Sequence, residues 1–226
     1  MTFSIAARCP DTGMFGCAVT SSSPAVAARC AYAKAGVGAV LTQNFTDPTL
    51  GRRGLELIER GATGREAIAI LSATASDSAF RQLSAIGGIG PAAGFTGGQC
   101  LAQTAQAFGV NSVAVGNLLS DTKVTEAMID GFETATGHLA ARLIEALRRG
   151  RDAGGEIDDV RSAGVIVVHQ LPWPIVDLRV DWNEVCPIDA LFDLWSVWEP
   201  RMPLYLQRAL SPADAPASDV SAGNAR

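Results

Sequence analysis

The first apolar positions fall in two short runs, Phe3 to Arg8 and Phe15 to Thr20, separated by Cys9-Pro10-Asp11-Thr12-Gly13. Pro, Asp and Gly together favour a turn, so the spacing predicts an N-terminal β-hairpin. Gly38 to Gln43 reads as a further strand, led in by the tight-turn residues Gly36-Val37-Gly38, whereas Ala25 to Ala33 is small and ambiguous. At Asp47-Pro48 the period changes, because Asp can cap a helix and Pro can occupy its first position. That helix runs through Leu55, Leu57 and Ile58 to Gly61. Thr63 with Glu66 three residues on is a capping-box pattern opening a second helix through Ala67, Ile68, Ile70 and Leu71.

From Gln82 to Gly116 the chain is rich in Gly, Ala, Thr and Val, and Leu83–Gly87, Ala92–Thr96 and Val110–Val115 are predicted strands. Helical spacing returns over Thr122 to Thr134 and at Leu139, Leu143, Ile144 and Leu147, closing on Arg148, Arg149 and Gly150. Ala163–His169 and Pro174–Asp181 are the last predicted strands. Pro187 starts an amphipathic helix carrying Ile188, Leu191, Phe192, Trp195 and Trp198, and a short helix is expected after Pro203. Hairpin-linked strands with helices grouped between them predict an α+β class with stacked, mainly antiparallel sheets under helix layers, rather than alternating βαβ units. A chain of 226 residues fits one domain, residues 1–210, and the Ala-, Ser-, Pro- and Asp-rich stretch Ser211 to Arg226 is expected to be a disordered tail.

Composition narrows the function. A net charge of -5 without a basic cluster argues against a nucleic-acid partner. No apolar run is long enough to span a bilayer, and no basic-then-apolar leader opens the chain, so the expectation is a cytoplasmic protein without a membrane partner. Cys9, Cys17, Cys30, Cys100 and Cys186 form no C-x-x-C pair and read as reduced, mostly buried thiols. His138 and His169 stand far apart with no ligand spacing, so neither a metal nor another cofactor is expected. Gly88 to Gly94 superficially suggests a dinucleotide loop, but Pro91 and the lack of a following helix make it a hairpin turn.

Thr2 is the candidate of most chemical interest. Thr is small enough to permit removal of Met1, which would leave a free α-amine with a pKa of about 7.7–8.0 beside a hydroxyl, so one residue would hold both nucleophile and base. The plain alternative is that Thr is a common second residue. Asn117, in a Gly-Asn step after a strand, could donate to an oxyanion or could be a turn residue tolerating a left-handed conformation. Thr42 and Gln43, at another strand end, are supporting candidates, and Ser21, Ser22 and Ser23 could line the same site. Asp177, Arg179 and Asp181 alternate along one strand face. Arg179 could bind a substrate carboxylate with Asp177 orienting it, or the three could form an ion-pair ladder.

Several segments together carry a family resemblance. Met1-Thr2-Phe3-Ser4-Ile5-Ala6-Ala7-Arg8, Gly16-Cys17-Ala18-Val19, Ala35-Gly36-Val37-Gly38-Ala39-Val40, Gly51-Arg52-Arg53-Gly54-Leu55-Glu56-Leu57, Gly94-Phe95-Thr96-Gly97, Gly116-Asn117-Leu118-Leu119 and Asp177-Leu178-Arg179-Val180-Asp181 occur in order. The chain up to about residue 195 resembles the DUF1028 family, grouped with the N-terminal-nucleophile (Ntn) hydrolases. The resemblance implies a four-layer αββα sandwich, with Thr2 as nucleophile and its α-amine as base. The expected activity is cofactor-free hydrolysis of a small-molecule amide or peptide-like substrate by a homo-oligomer. The alternative is a catalytically silent member serving as a ligand-binding or oligomeric scaffold, and a third reading is a Ser/His hydrolase using His169.

Overall fold

The computed structural model describes residues 2–216. The predicted hairpin is β1 (Thr2–Cys9) and β2 (Met14–Ser21), paired antiparallel from Phe3↔Thr20 to Cys9↔Met14. The ambiguous segment resolves into a short helix α1 (Ala27–Cys30) and a strand β3 (Ala31–Lys34), followed by β4 (Gly38–Asn44). Helices α2 (Pro48–Glu59) and α3 (Gly64–Thr74) begin where their caps predict. Asp47 accepts from the Thr49 N–H, and Thr63 and Glu66 close a full capping box.

The Gly-rich region holds four strands, β5 (Arg81–Gly87), β6 (Ala93–Thr96), β7 (Ala105–Phe108) and β8 (Ser112–Asn117). Only β7 has no counterpart among the expected strands: Ala105-Gln106-Ala107-Phe108 is brief, half-buried and flanked by turns. After them come α4 (Lys123–Thr134), α5 (Leu139–Asp152), β9 (Ser162–Val168), β10 (Val176–Val180), α6 (Pro187–Trp198) and α7 (Met202–Leu210). Of the expected tail, Pro212–Asp214 form a 3-10 turn against α7, and residues 217–226 lie outside the described residues.

Two sheets result, a six-stranded one ordered β10-β9-β2-β1-β8-β7 and a four-stranded one ordered β3-β4-β5-β6, every pairing antiparallel. Strand alternation divides the interior into three apolar clusters. Phe3, Ile5 and Ala7 of β1 pack outward against Leu143, Leu147 and Met128 of α4 and α5, with Ile188 and Trp195 of α6 in the same cluster. Ala6, Cys17, Val19, Val113 and Val115 point the other way, against Ala39, Leu41 and Ile86 of the second sheet. Val40, Leu83 and Ala85 then face α2 and α3. The molecule is a four-layer αββα sandwich of α+β class, as expected.

The positions Thr2, Ser4 and Ala6 therefore face the gap between the sheets, while Phe3 anchors the start of β1 from the helix side. Phe3 is fully buried and its ring lies against Gly150 and Gly155, where a Cβ would stand 3.1 and 3.6 Å from ring carbons. Replacing Phe3 by Ala should cost about 3–5 kcal/mol. Urea unfolding should show a lower midpoint, and an unchanged midpoint would mean that the start of β1 is not held from that side.

Candidate functional site

β1 is hydrogen-bonded along both edges, to β2 and to β8, and its first described residue sits opposite Asn117. Thr2 is only 4% exposed. Its Oγ1 donates to Ser21 Oγ at 3.4 Å, and Ser21 Oγ and Ser23 Oγ are 2.8 Å apart. The strand pairing thus brings Thr2, Ser21 and Asn117 together at one end of the sheet, from three separate parts of the sequence.

Behind them lies a layer of buried amides that bridges the two sheets. Ser4 Oγ donates to Gln43 Oε1 at 2.6 Å. Gln43 Nε2 donates to the Thr2 carbonyl at 3.3 Å and to Gln82 Oε1 at 2.8 Å. Asn117 Nδ2 donates to the same Gln82 oxygen at 2.9 Å, while Gln82 Nε2 donates to Thr96 Oγ1 at 3.0 Å and to the Gly116 carbonyl at 2.8 Å. Ser4, Gln43, Gln82 and Asn117 are all fully buried. Removing one partner from such a network would strand the others at about 1–3 kcal/mol each, so the layer fixes how the sheets meet beside Thr2.

Glu156 completes the surroundings, and nothing in the sequence reading pointed to it. In Gly-Gly-Glu-Ile-Asp-Asp it looks like a solvated loop charge. A long-range pairing buries it: residue 156 bridges antiparallel to Leu119, the Ser120 N–H donates to the Gly155 carbonyl at 3.0 Å, and the Ile157 N–H to the Leu118 carbonyl at 3.1 Å. Gly154 and Gly155, both left-handed with φ of 120° and 61°, make the bend that allows this. Glu156 is 6% exposed, and its Oε2 accepts from the Ser22 N–H at 3.3 Å. The carboxyl therefore spans the open end of β1, between Ser22 after β2 and Leu119 after β8. Burial pushes its pKa up to about 7, and the hydrogen bond from the Ser22 N–H offsets that only in part.

Three buried polar atoms at this end have no hydrogen-bond partner among the described residues: Ser22 Oγ, Asn117 Oδ1 and Glu156 Oε1. Asn117 itself is extended and ends β8; the left-handed residue is the next one, Leu118, with φ of 50°. A cavity of about 340 Å³ adjoins the site on the helix side, lined by Phe3, Arg151, Gly155, Glu156, Asp158 and Asp189 among others.

The other candidates lie elsewhere. Thr42 points to the opposite face of its strand from Gln43, and its Oγ1 donates to the Asp47 carbonyl at 3.3 Å beneath α2. Arg179 and Asp177 are on the exposed face of the edge strand β10. The register runs Arg179↔Gly164↔Val19↔Ser4, which places them about 14 Å from β1 by strand spacing. Arg179 is held by Asp181, with Nη2 2.9 and 3.0 Å from its carboxylate oxygens. His169 Nε2 is 2.8 Å from the Thr12 carbonyl at the hairpin turn, the far end of the sheet from Ser21–Ser23. Among the described residues no group of three or more His, Cys, Asp or Glu could hold a metal, and no helix is long and apolar enough to cross a membrane.

A family model described as "Family of unknown function (DUF1028)" matches residues 2–191. A crystal structure of a protein from Silicibacter pomeroyi, assigned to DUF1028, is similar with a TM-score of 0.81 and 30% identity over 87% of this chain and 85% of that one. Anbu (ancestral beta-subunit) from Yersinia bercovieri aligns over 91% of this chain and 97% of that one at 12% identity and a TM-score of 0.39, too remote to inform the fold or the site. No curated protein matches the chain.

The environment of Glu156 gives a pH signature. Because the fold raises its pKa, the stability it contributes is fully present below about pH 4.5 and is lost as pH rises through about 7. Glu156→Gln should therefore lose less stability than the wild type between those values, by up to about 3 kcal/mol, in urea titrations at each pH. Parallel pH profiles for the two proteins would show that the carboxyl is not held neutral.

Proposed function

Because the chain belongs to the DUF1028 family, whose function is unknown, we propose from its own geometry that it is an N-terminal-nucleophile amide hydrolase with Thr2 as nucleophile. The carrying observation is the pair of unpartnered buried acceptors at the open end of β1, Glu156 Oε1 and Asn117 Oδ1. Buried acceptors without donors are costly, and two flanking one strand end call for a donor between them. Loss of Met1 creates such a donor group in the α-amine of Thr2.

The roles follow. The α-amine accepts the Thr2 hydroxyl proton as Oγ1 attacks the substrate carbonyl, and returns it to the leaving amine; water then releases the acyl group from Thr2. Glu156 and Asn117 Oδ1 orient the amine. A carboxyl whose pKa burial raises takes a hydrogen bond from the amine without imposing the full positive charge that a solvated carboxylate would favour. Asn117 has a second amide hydrogen beyond the one given to Gln82, and offers it to the developing oxyanion. Gln43 holds the Thr2 carbonyl, which fixes the residue's backbone during the reaction. The mechanism uses no cofactor, and the substrate is a small amide or peptide-like molecule.

A second reading, a silent scaffold, is favoured by the exposed Leu194 and Val197, neighbours on one face of α6 suited to joining copies of the chain. The two readings separate on a reactive probe. A β-lactone should acylate Thr2 Oγ1 to give an ester that hydroxylamine cleaves, located by fragmentation mass spectrometry. Thr2→Ala should lower that labelling, and the turnover of any amide substrate found by screening, by at least about a thousandfold while leaving the fold intact. Turnover that survives in Thr2→Ala would exclude Thr2 as nucleophile, and a wild-type protein inert to the probe would favour the scaffold.

A further inference from the structure

The Thr2 hydroxyl is the last member of a hydrogen-bonded series that begins at a cation. Arg29, half-buried on α1, donates from Nη2 to Ser23 Oγ at 2.6 Å and from Nη1 to the Pro24 carbonyl at 2.5 Å. Ser23 Oγ lies 2.8 Å from Ser21 Oγ, which is 3.4 Å from Thr2 Oγ1. The loop carrying Ser23 is itself pinned. Ser162 Oγ donates to the Ser23 carbonyl at 2.6 Å and accepts from the Val26 N–H at 3.1 Å, and the Ser23 N–H donates to Ser21 Oγ at 3.1 Å. We propose that Arg29 is a positioning residue that polarises the Thr2 hydroxyl through Ser23 and Ser21. This inference rests on the reading of Thr2 as the nucleophile.

The direction of the series follows from its first member. A guanidinium only donates, so Ser23 Oγ must accept from Arg29. Ser21 Oγ already accepts from the Thr2 hydroxyl and the Ser23 N–H, so at rest the Ser21 hydroxyl donates to Ser23 Oγ. At rest Thr2 Oγ1 donates to Ser21 Oγ. As the α-amine takes the Thr2 proton, Thr2 Oγ1 becomes an acceptor, the Ser21 hydroxyl turns to donate to it, and the Ser23 hydroxyl turns to donate to Ser21. All bonds in the series then run one way, from Arg29 to the forming alkoxide. No proton passes along it: the Thr2 proton goes to the amine and the Oγ1 electron pair to the substrate carbonyl. Charge-assisted hydrogen bonds are roughly twice as strong as neutral ones, and the series brings part of that advantage to an oxygen that Arg29 does not touch.

Few other charges compete at this point. Glu156 faces the same end from the loop beyond α5, with Asp158 next to it. The Arg161 N–H donates to the Ser21 carbonyl, but its guanidinium is turned to Asp159 and the Glu184 carbonyl. Cys30 adjoins Arg29 on α1 as a buried thiol whose pKa burial raises. The facing sheet presents the neutral amides Gln43 and Gln82, and β8 presents Asn117.

The test is the rate of Thr2 ester formation with the β-lactone, measured from about pH 6 to 9 around the expected α-amine titration. Arg29→Met should slow acylation by about tenfold to a hundredfold and move the rise of the rate to higher pH, and Arg29→Lys should restore part of it. Ser23→Ala should have a similar effect, and the double variant should be little slower than either single one, because both interrupt the same series. If Arg29→Met is poorly folded, Ser23→Ala carries the test alone through its rate and pH profile. A folded Arg29→Met or Ser23→Ala that acylates at the wild-type rate with the wild-type pH profile would overturn the inference, as would fully additive losses in the double variant. A wild-type chain that forms no ester on Thr2 would instead remove the premise, and the inference with it.

Discussion

The architecture depends on a strand paired along both edges, with β8 from Thr2 and with β2 from Phe3. β1 lies between β2 and β8, so the backbone of Thr2 is fixed by the sheet and its side chain must point into the gap between sheets. Chain termini ordinarily fray, because ordering their last residues costs entropy that few contacts repay. Here Phe3 is locked under α5 from one side and Gln43 holds the Thr2 carbonyl from the other. The proposed role of Thr2 as nucleophile requires a residue as immobile as one in a core.

The same constraint explains why the middle of the sandwich turns polar at this end. Over most of its length the gap is filled by Ala6, Cys17, Val19, Leu41 and Ile86, an ordinary apolar interface. Next to Thr2 the apolar side chains give way to Ser4, Gln43, Gln82 and Asn117, whose mutual hydrogen bonds satisfy most of the buried donors and acceptors. A connected amide layer defines one relative placement of two sheets, where apolar side chains could slide. Rigidity is built behind the site, while the unpartnered acceptors of Asn117 and Glu156 lie in front of it.

Much of the fold was legible because local signals agreed with the global arrangement. The Pro10–Gly13 turn, the Asp47-Pro48 start and the Thr63–Glu66 capping box lie where their chemistry places them, stacked antiparallel sheets under helix layers followed from the grouping of strands and helices, and the four-layer αββα order was implied by the family resemblance. The strand Ala105–Phe108 escaped because its place at the sheet edge comes from pairing with β8 rather than from its own four residues. Ala31–Lys34 stayed ambiguous for the same reason. At the site, Thr2, Asn117 and Ser21 could be named from their types and positions. Glu156 could not, since its burial is created by the bridge to Leu119 and by the bend at Gly154-Gly155, and neither leaves a local pattern. Arg29 was hidden likewise in an Ala-rich stretch, where only the fold reveals that it reaches Ser23. Alternation explains why Gln43 and its neighbour Thr42, adjacent in sequence, serve different layers.

Everything proposed for the chemistry depends on the α-amine belonging to Thr2. The most direct measurement is the intact mass of the protein isolated from cells, with the first residue confirmed by N-terminal sequencing. The account predicts a chain lighter by one methionine residue and beginning at Thr2. A chain that retains Met1 in its folded, isolated form would have an amide in place of the base, and would contradict the account at its root.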